Sequence, residues 1–183
     1  MISRIQQLFR IILIASVLLV SPISWAQEDK PDYQVKASQI PHFINAVEWP
    51  GGKKQDVITI CLLGESDIAK MADALAKYDK FDFRMTLVKI KTLKNVDEQC
   101  QALIIGESEQ EKLETVLTEI GRRPILTISD IPSFIENGGM IGYVPQETDK
   151  GIKTKFAINK KAIEATGLSI KADVVGLAIK VIR

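Results

Sequence analysis

The stretch PILTISDIPSFIENGGMIGYVPQETDKGIKTKFAIN, Pro124 to Asn159, decides how the chain is organised. Ile125 to Ile128 is a short apolar run bounded by Pro124 and by Ser129-Asp130, which predicts a buried strand followed by a helix N-cap. Met140 to Val144, after the glycine pair Gly138-Gly139, predicts a second strand. Ile152 to Ile158 predicts a third, with Lys153 and Lys155 alternating against Thr154 and Phe156. Between them Pro145 to Gly151 is polar and holds both proline and glycine, so a turn is expected there and the last two strands form an antiparallel hairpin.

Upstream, VITICLL (Val57 to Leu63) is a continuous apolar run, the signature of a strand buried on both faces, and it leads through Gly64-Glu65-Ser66 into a helix expected from Asp67 to Tyr78. Phe81 to Ile90 mixes charge and bulk and predicts a more exposed strand nearer the sheet edge. Ala102 to Ile105 repeats the buried pattern, passes through Gly106-Glu107-Ser108 and opens a helix from Glu109 to Ile120. Tyr33 to Trp49 has Val35, Ile40, Phe43, Ile44 and Val47 at helical spacing, with a kink or late start expected at Pro41. After the hairpin a short helix from Lys160 to Thr166 ends at Gly167, and Ile170 to Ile182 is expected to form a broad apolar helix. Strands alternating with helices predict an α/β fold: a single three-layer domain, a mostly parallel sheet flanked by helices, with a C-terminal antiparallel hairpin.

The first 26 residues place Arg4 and Arg10 ahead of the apolar run Ile11 to Val20, then Ser24-Trp25-Ala26. That order is a secretory signal peptide with cleavage after Ala26, and the run is too short for the ~20 residues of a membrane-spanning helix. Cleavage leaves residues 27–183 as one domain, with 22 of the 24 basic residues against 23 acidic ones. A charge so near balance argues against nucleic acid as a partner. Cys61 and Cys100 are the two cysteines, and an exported chain meets an oxidising compartment where they are expected to pair; two separately buried thiols are the alternative.

Chemistry-bearing patterns are few. Gly-Glu-Ser occurs twice at a strand-to-helix junction, where glycine makes the turn and serine caps the helix. The carboxyl ends of parallel strands also bind ligands, which makes Glu65, Ser66, Glu107, Ser108, Ser129 and Asp130 a candidate ligand-binding crevice. Its three acids oppose an anion, and neither turn matches a nucleotide-binding motif, so no cofactor is implied. His42, the sole histidine, has no ligand-type neighbour, and no nucleophile elbow is present, so no catalytic or metal site is expected and the chain does not read as an enzyme. The excess of apolar residues on the last segment makes Val174, Ile179 and Ile182 candidate interface positions.

With these pieces placed, the chain resembles the YfiR family over nearly its whole length. VKASQIPHFINAVEWP (Val35 to Pro50) is similar to the opening helix of that family, ITICLLGES (Ile58 to Ser66) to its first strand and CQALIIGES (Cys100 to Ser108) to the strand that opens with cysteine. The most specific part is the series met here by Leu126, Thr127, Phe134, Gly138, Gly139, Met140, Ile141, Phe156, Ile158 and Asn159. Pro41 and Lys171-Ala172 depart from the family pattern, and a second cysteine pair of some members is absent, so the Cys61 to Cys100 bridge alone carries over. The resemblance implies a periplasmic repressor that binds the periplasmic sensory domain of an inner-membrane diguanylate cyclase and lowers cyclic di-GMP, with effects on biofilm. It also implies a homodimer and an OmpA-like outer-membrane lipoprotein as a further partner. The competing reading is a periplasmic small-molecule binding protein that uses the strand-end crevice.

Overall fold

The structure, a computed structural model, describes residues 32–52, 56–94, 96–149 and 151–183. The leader expected over residues 1–26 lies outside them. Among the described residues seven strands form the main sheet, in the order β3 (Arg84–Ile90), β2 (Val57–Leu63), β4 (Ala102–Ile105), β5 (Leu126–Ser129), β6 (Ile141–Thr148), β7 (Gly151–Asn159) and β9 (Lys180–Ile182), and β1 (Val47–Glu48) pairs with β8 (Ser169–Ile170) in a separate two-stranded sheet.

The opening helix, α1 (Asp32–Ala46), buries Ile40, Phe43 and Ile44 against the sheet. Pro41 stands inside this helix, which continues through it without the late start expected there: burial on both sides outweighs the one backbone bond a proline removes. Instead of reaching Trp49, the helix gives way to β1 (Val47–Glu48), which pairs antiparallel with β8 (Ser169–Ile170).

The two continuous apolar runs become β2 (Val57–Leu63) and β4 (Ala102–Ile105), parallel neighbours inside the sheet, with the more exposed β3 (Arg84–Ile90) beside β2 at one edge. β5 (Leu126–Ser129) follows β4 in register, Ala102 opposite Leu126. The first Gly-Glu-Ser turn is followed by a 3-10 turn, Asp67–Met71, and the second enters one at its own glutamate, Glu107–Lys112, before the chain becomes α2 (Ala72–Ala76) and α4 (Leu113–Ile120) respectively. A short α3 (Val96–Gln99) precedes Cys100. Ser129 does not cap a helix: turns occupy 132–138, and Ser129 Oγ donates to the Ile105 carbonyl at 2.7 Å while accepting from Ile131 N at 3.1 Å. Pro132 and the glycine pair leave no helical run to cap.

β6 (Ile141–Thr148) and β7 (Gly151–Asn159) are antiparallel, and they run through most of the expected turn. Pro145 is tolerated inside β6 because that strand pairs with β5 only at Ile141 and Gly142, so no neighbour there asks for its missing N–H. Asn159 closes β7 and caps α5 (Lys160–Ala165), its side-chain oxygen accepting from Ala162 N at 2.9 Å.

The largest departure is at the carboxyl end. In place of one helix from Ile170 to Ile182 there are β8, a six-residue α6 (Ala172–Leu177) and β9 (Lys180–Ile182), which lies parallel to β7. Ala178, at φ −70 and ψ 137, turns the chain from helical to extended. A run of valine and isoleucine fits both periods, and the sheet edge at Ala157–Asn159 takes the β-branched residues as a strand.

The core has two parts, one on each face of the sheet. One side gathers Ile40, Phe43, Ile60, Leu62, Ile104 and Tyr143 under α1; the other gathers Leu103, Ile105, Val116, Ile120 and Phe134 with both cysteines. Cys61 and Cys100 form a disulfide with their Cα atoms 5.7 Å apart, joining β2 to the entry of β4. The fold is therefore α/β, a mostly parallel sheet flanked by helices and extended by an antiparallel hairpin.

Candidate functional site

Strand order reverses at β2, whose two neighbours are β3 on one side and β4 on the other. In open α/β sheets a crevice forms outside the carboxyl ends of the strands at such a switch point. Here the two Gly-Glu-Ser turns meet at that place. Gly106 N donates to the Leu63 carbonyl at 2.8 Å, and Glu65 N donates to Ser108 Oγ at 2.9 Å. The repeated tripeptide thus binds one turn to the other. Ser66 caps its own segment, accepting from Ile68 N at 3.3 Å, whereas Ser108 is used by the opposite turn.

A crevice of about 570 Å³ opens beside these turns, lined by Glu65, Ser66, Glu107 and Asp130 together with Asp32, Tyr33 and Lys36 of α1. Four of the six sequence candidates therefore share it. Ser108 is tied to Glu65 N, and Ser129 is buried beneath with both its hydrogen bonds made. The α1 residues were missed because Lys36 and Asp130 are 94 positions apart; the Asp32 to Lys36 spacing on one helix face was the available signal.

Lys36 Nζ lies 2.7 Å from Asp130 Oδ2 and 2.6 Å from Asp32 Oδ2. Burial acts to lower its pKa, but the hydrogen bonds and attraction of Asp130 and Asp32 outweigh it and hold the ammonium above its ordinary value. Tyr143 OH donates to the Lys36 carbonyl at 2.6 Å. Burial first, and then the charges of Asp130 and Asp32, push that hydroxyl well above the usual tyrosine range. Asp32 also accepts from Thr154 Oγ1 on β7. This latch fastens the first turns of α1 to β5, β6 and β7. A lysine whose pKa is raised on folding contributes stability below its unfolded value, about 10.4, and loses it as pH climbs through the folded one. Lys36→Met is therefore expected to cost about 1–3 kcal/mol at neutral pH, with the gap from the native chain narrowing at an alkaline pH above the ordinary lysine value. Urea unfolding of both proteins at the two pH values checks it; an equal gap at both would remove the latch from the account.

The crevice is acidic. Asp67 on its rim is held by Lys70, which also sits 5.2 Å from the centre of the Tyr33 ring, and Glu65 meets Lys89 at 3.4 Å. Such a lining repels an anion and accepts a cationic group. His42 stands elsewhere, among Tyr78 and Phe81, with its ring centre 5.5 Å from that of Phe81. Among the described residues no group of three or more His, Cys, Asp or Glu is arranged to hold a metal ion. A second cavity of about 580 Å³, lined by Ile44, Glu48, Trp49, Phe83 and Lys171, lies beside the β1-β8 pair and had no counterpart in the sequence reading.

The three candidate interface residues separate. Val174 packs partly against the α1 side of the core, Ile182 partly against the other side, and Ile179 is 46% exposed. Leu177, at 71%, is the most exposed large apolar residue of this segment.

Among solved structures the chain is similar to an ABC domain in complex with L-Trp from Streptococcus pneumonia, at 15% identity and a TM-score of 0.54. It is also similar to a conserved domain protein from Vibrio cholerae O1 biovar El Tor strain N16961, at 13% identity and 0.51. Each match takes in 82% of this chain and 60% of the other, so the chain spans less than two thirds of those structures, and the likeness is one of fold. No curated protein matches it. The YfiR/HmsC-like family model matches residues 33–179, a span that holds the disulfide, the sheet from β2 to β7 and the crevice lining apart from Asp32. The chain belongs to the YfiR/HmsC-like family.

Proposed function

We propose that this protein, exported and cleaved after Ala26, binds the periplasmic sensory domain of an inner-membrane diguanylate cyclase and holds the cyclase inactive. The observation that carries the reading is the family match over residues 33–179. The bridge between Cys61 and Cys100 fits an oxidising compartment, and the exposed apolar pair Leu177 and Ile179 offers a surface next to Val174 and Ile182 for the cyclase or a second copy. An OmpA-like outer-membrane lipoprotein would be a further partner. No catalytic step is assigned to this chain.

Deleting the gene is expected to raise cellular cyclic di-GMP several-fold, with restoration by the exported chain and none by a form lacking residues 2–26. Extraction and quantification of the nucleotide checks it. A second reading, a small-molecule binding protein, is favoured by the crevice of about 570 Å³, whose carboxylates at Glu65, Glu107 and Asp130 would select a cationic group. It predicts an unchanged cyclic di-GMP level after deletion, so the same measurement separates the two.

A further inference from the structure

β6 and β7 reach past the rest of the sheet. β6 leaves β5 after Gly142, and β7 meets β9 only over Ala157–Asn159, so Tyr143 to Phe156 is a two-stranded ribbon with no further strand on either side among the described residues. Such a ribbon is marginal on its own. Near its tip Ile152 is 72% exposed.

The register fixes which backbone groups face outward. Asn159 N donates to the Met140 carbonyl at 2.8 Å across the ladder, which sets its phase, while Met140 N donates to Thr127 Oγ1 at 3.1 Å. By alternation Val144 with Lys155 and Gln146 with Lys153 exchange hydrogen bonds, while Pro145 with Thr154 and Glu147 with Ile152 turn their backbone groups away from the ladder. The hydrogen bond from Ile179 N to the Phe156 carbonyl, 3.0 Å, agrees with that alternation. The two edges therefore differ. β6 presents Pro145, which has no N–H, a feature that blocks strand addition. β7 presents Ile152 and Thr154, each with donor and acceptor, in line with the edge that β9 already occupies.

Side chains along the β7 edge alternate too, with Lys153 and Lys155 on one face and Ile152 and Thr154 on the other. Neither lysine meets an acid among the described residues. We propose that this free edge of β7 docks the protein's partner by strand addition, and that the docked segment is an extended one in which acidic residues alternate with apolar ones. Acids would meet Lys153 and Lys155, apolar side chains would cover Ile152, and the main chain would take up the groups of Ile152 and Thr154. A second copy of this chain fits poorly: two β7 edges paired about an axis near Lys153 would set lysine against lysine.

The inference rests on the partner-binding reading above. The mature chain, residues 27–183, is titrated with an acetylated peptide of alternating valine and glutamate and with its valine-lysine counterpart. The glutamate peptide is expected to slow hydrogen exchange at the Ile152 and Thr154 amides about tenfold, and the lysine peptide to leave it unchanged. Lys153→Glu with Lys155→Glu should reverse that preference. Thr154→Pro, which removes an outward N–H, should abolish binding, while Thr154→Val, which loses the hydroxyl and its bond to Asp32 but retains the outward N–H, should keep it. Protection at β3 instead, equal binding of both peptides, or normal binding by Thr154→Pro would overturn the proposal. In a strain lacking the gene, the double charge reversal should fail to restore low cyclic di-GMP. If deletion raises the nucleotide and this variant represses normally, the docking edge is wrong and the repressor reading stands; if deletion has no effect, the repressor reading itself falls.

Discussion

Replacing Cys61 with alanine is expected to lower the melting temperature by roughly 10 °C. The bridge closes a loop of sequence separation 39, and cross-linking a loop of that length removes about 4 kcal/mol of conformational freedom from the unfolded chain. A domain's whole stability is about 5–15 kcal/mol, and 1 kcal/mol shifts the midpoint by about 2–4 °C at this size. Local packing adds to the effect, because both sulfurs are buried among Leu103, Ile105 and Val116 between the sheet and α4. Cys100→Ala and the reduced native chain should melt close to Cys61→Ala. Thermal unfolding with and without reductant makes the comparison, and a native chain that melts at one temperature in both conditions would contradict it.

Gly106→Ala is expected to destabilise the fold by about 3 kcal/mol, at the upper end of what overpacking usually costs. A Cβ at that position would stand 2.7 Å from the carbonyl carbon of Glu65 and 2.9 Å from its amide nitrogen, and still closer to its oxygen. These are backbone atoms of the facing turn, held by the Gly106 to Leu63 hydrogen bond, so they have no rotamer by which to move aside. The crevice should lose its shape along with the stability, since Glu65 and Glu107 are placed by the same crossing. Gly176→Ala is the comparison: a Cβ there meets nothing within 4 Å, the residue lies inside α6, and alanine is the better helix former by about 1 kcal/mol. Equal unfolding midpoints for the two variants would show that the turns do not press on one another as described.

Much of the fold was legible in local pattern. Val57–Leu63 and Ala102–Ile105 were delimited residue for residue, because a continuous apolar run ending in glycine has one reading when it is too short for a helix. The C-terminal segment was not, because Val174 to Ile182 is apolar at both periods and only the open edge of β7 decides that its last residues are a strand. Pro145 misled for a related reason: proline reads as a turn unless the strand beside it is known to end at Ser129 opposite Gly142. Of the crevice, the sequence showed the strand-end positions Glu65, Ser66, Glu107 and Asp130 but not which serines turn inward. Ser129 lies within β5 and points to the Ile105 carbonyl, and Ser108 serves the other Gly-Glu-Ser turn, both consequences of long-range pairing. The Lys36 to Asp130 pair closes a separation that no local pattern reports.

We propose above that the mature, disulfide-bonded chain engages an inner-membrane diguanylate cyclase through its periplasmic part. Affinity capture from solubilised inner membranes, with residues 27–183 as bait and mass spectrometry of what is retained, tests it most directly. A membrane diguanylate cyclase with a periplasmic domain is expected in the retained fraction, depleted when the bait is the Cys61→Ala variant. Capture in which no diguanylate cyclase is enriched over a bait-free control, from membranes shown to contain one, would contradict it.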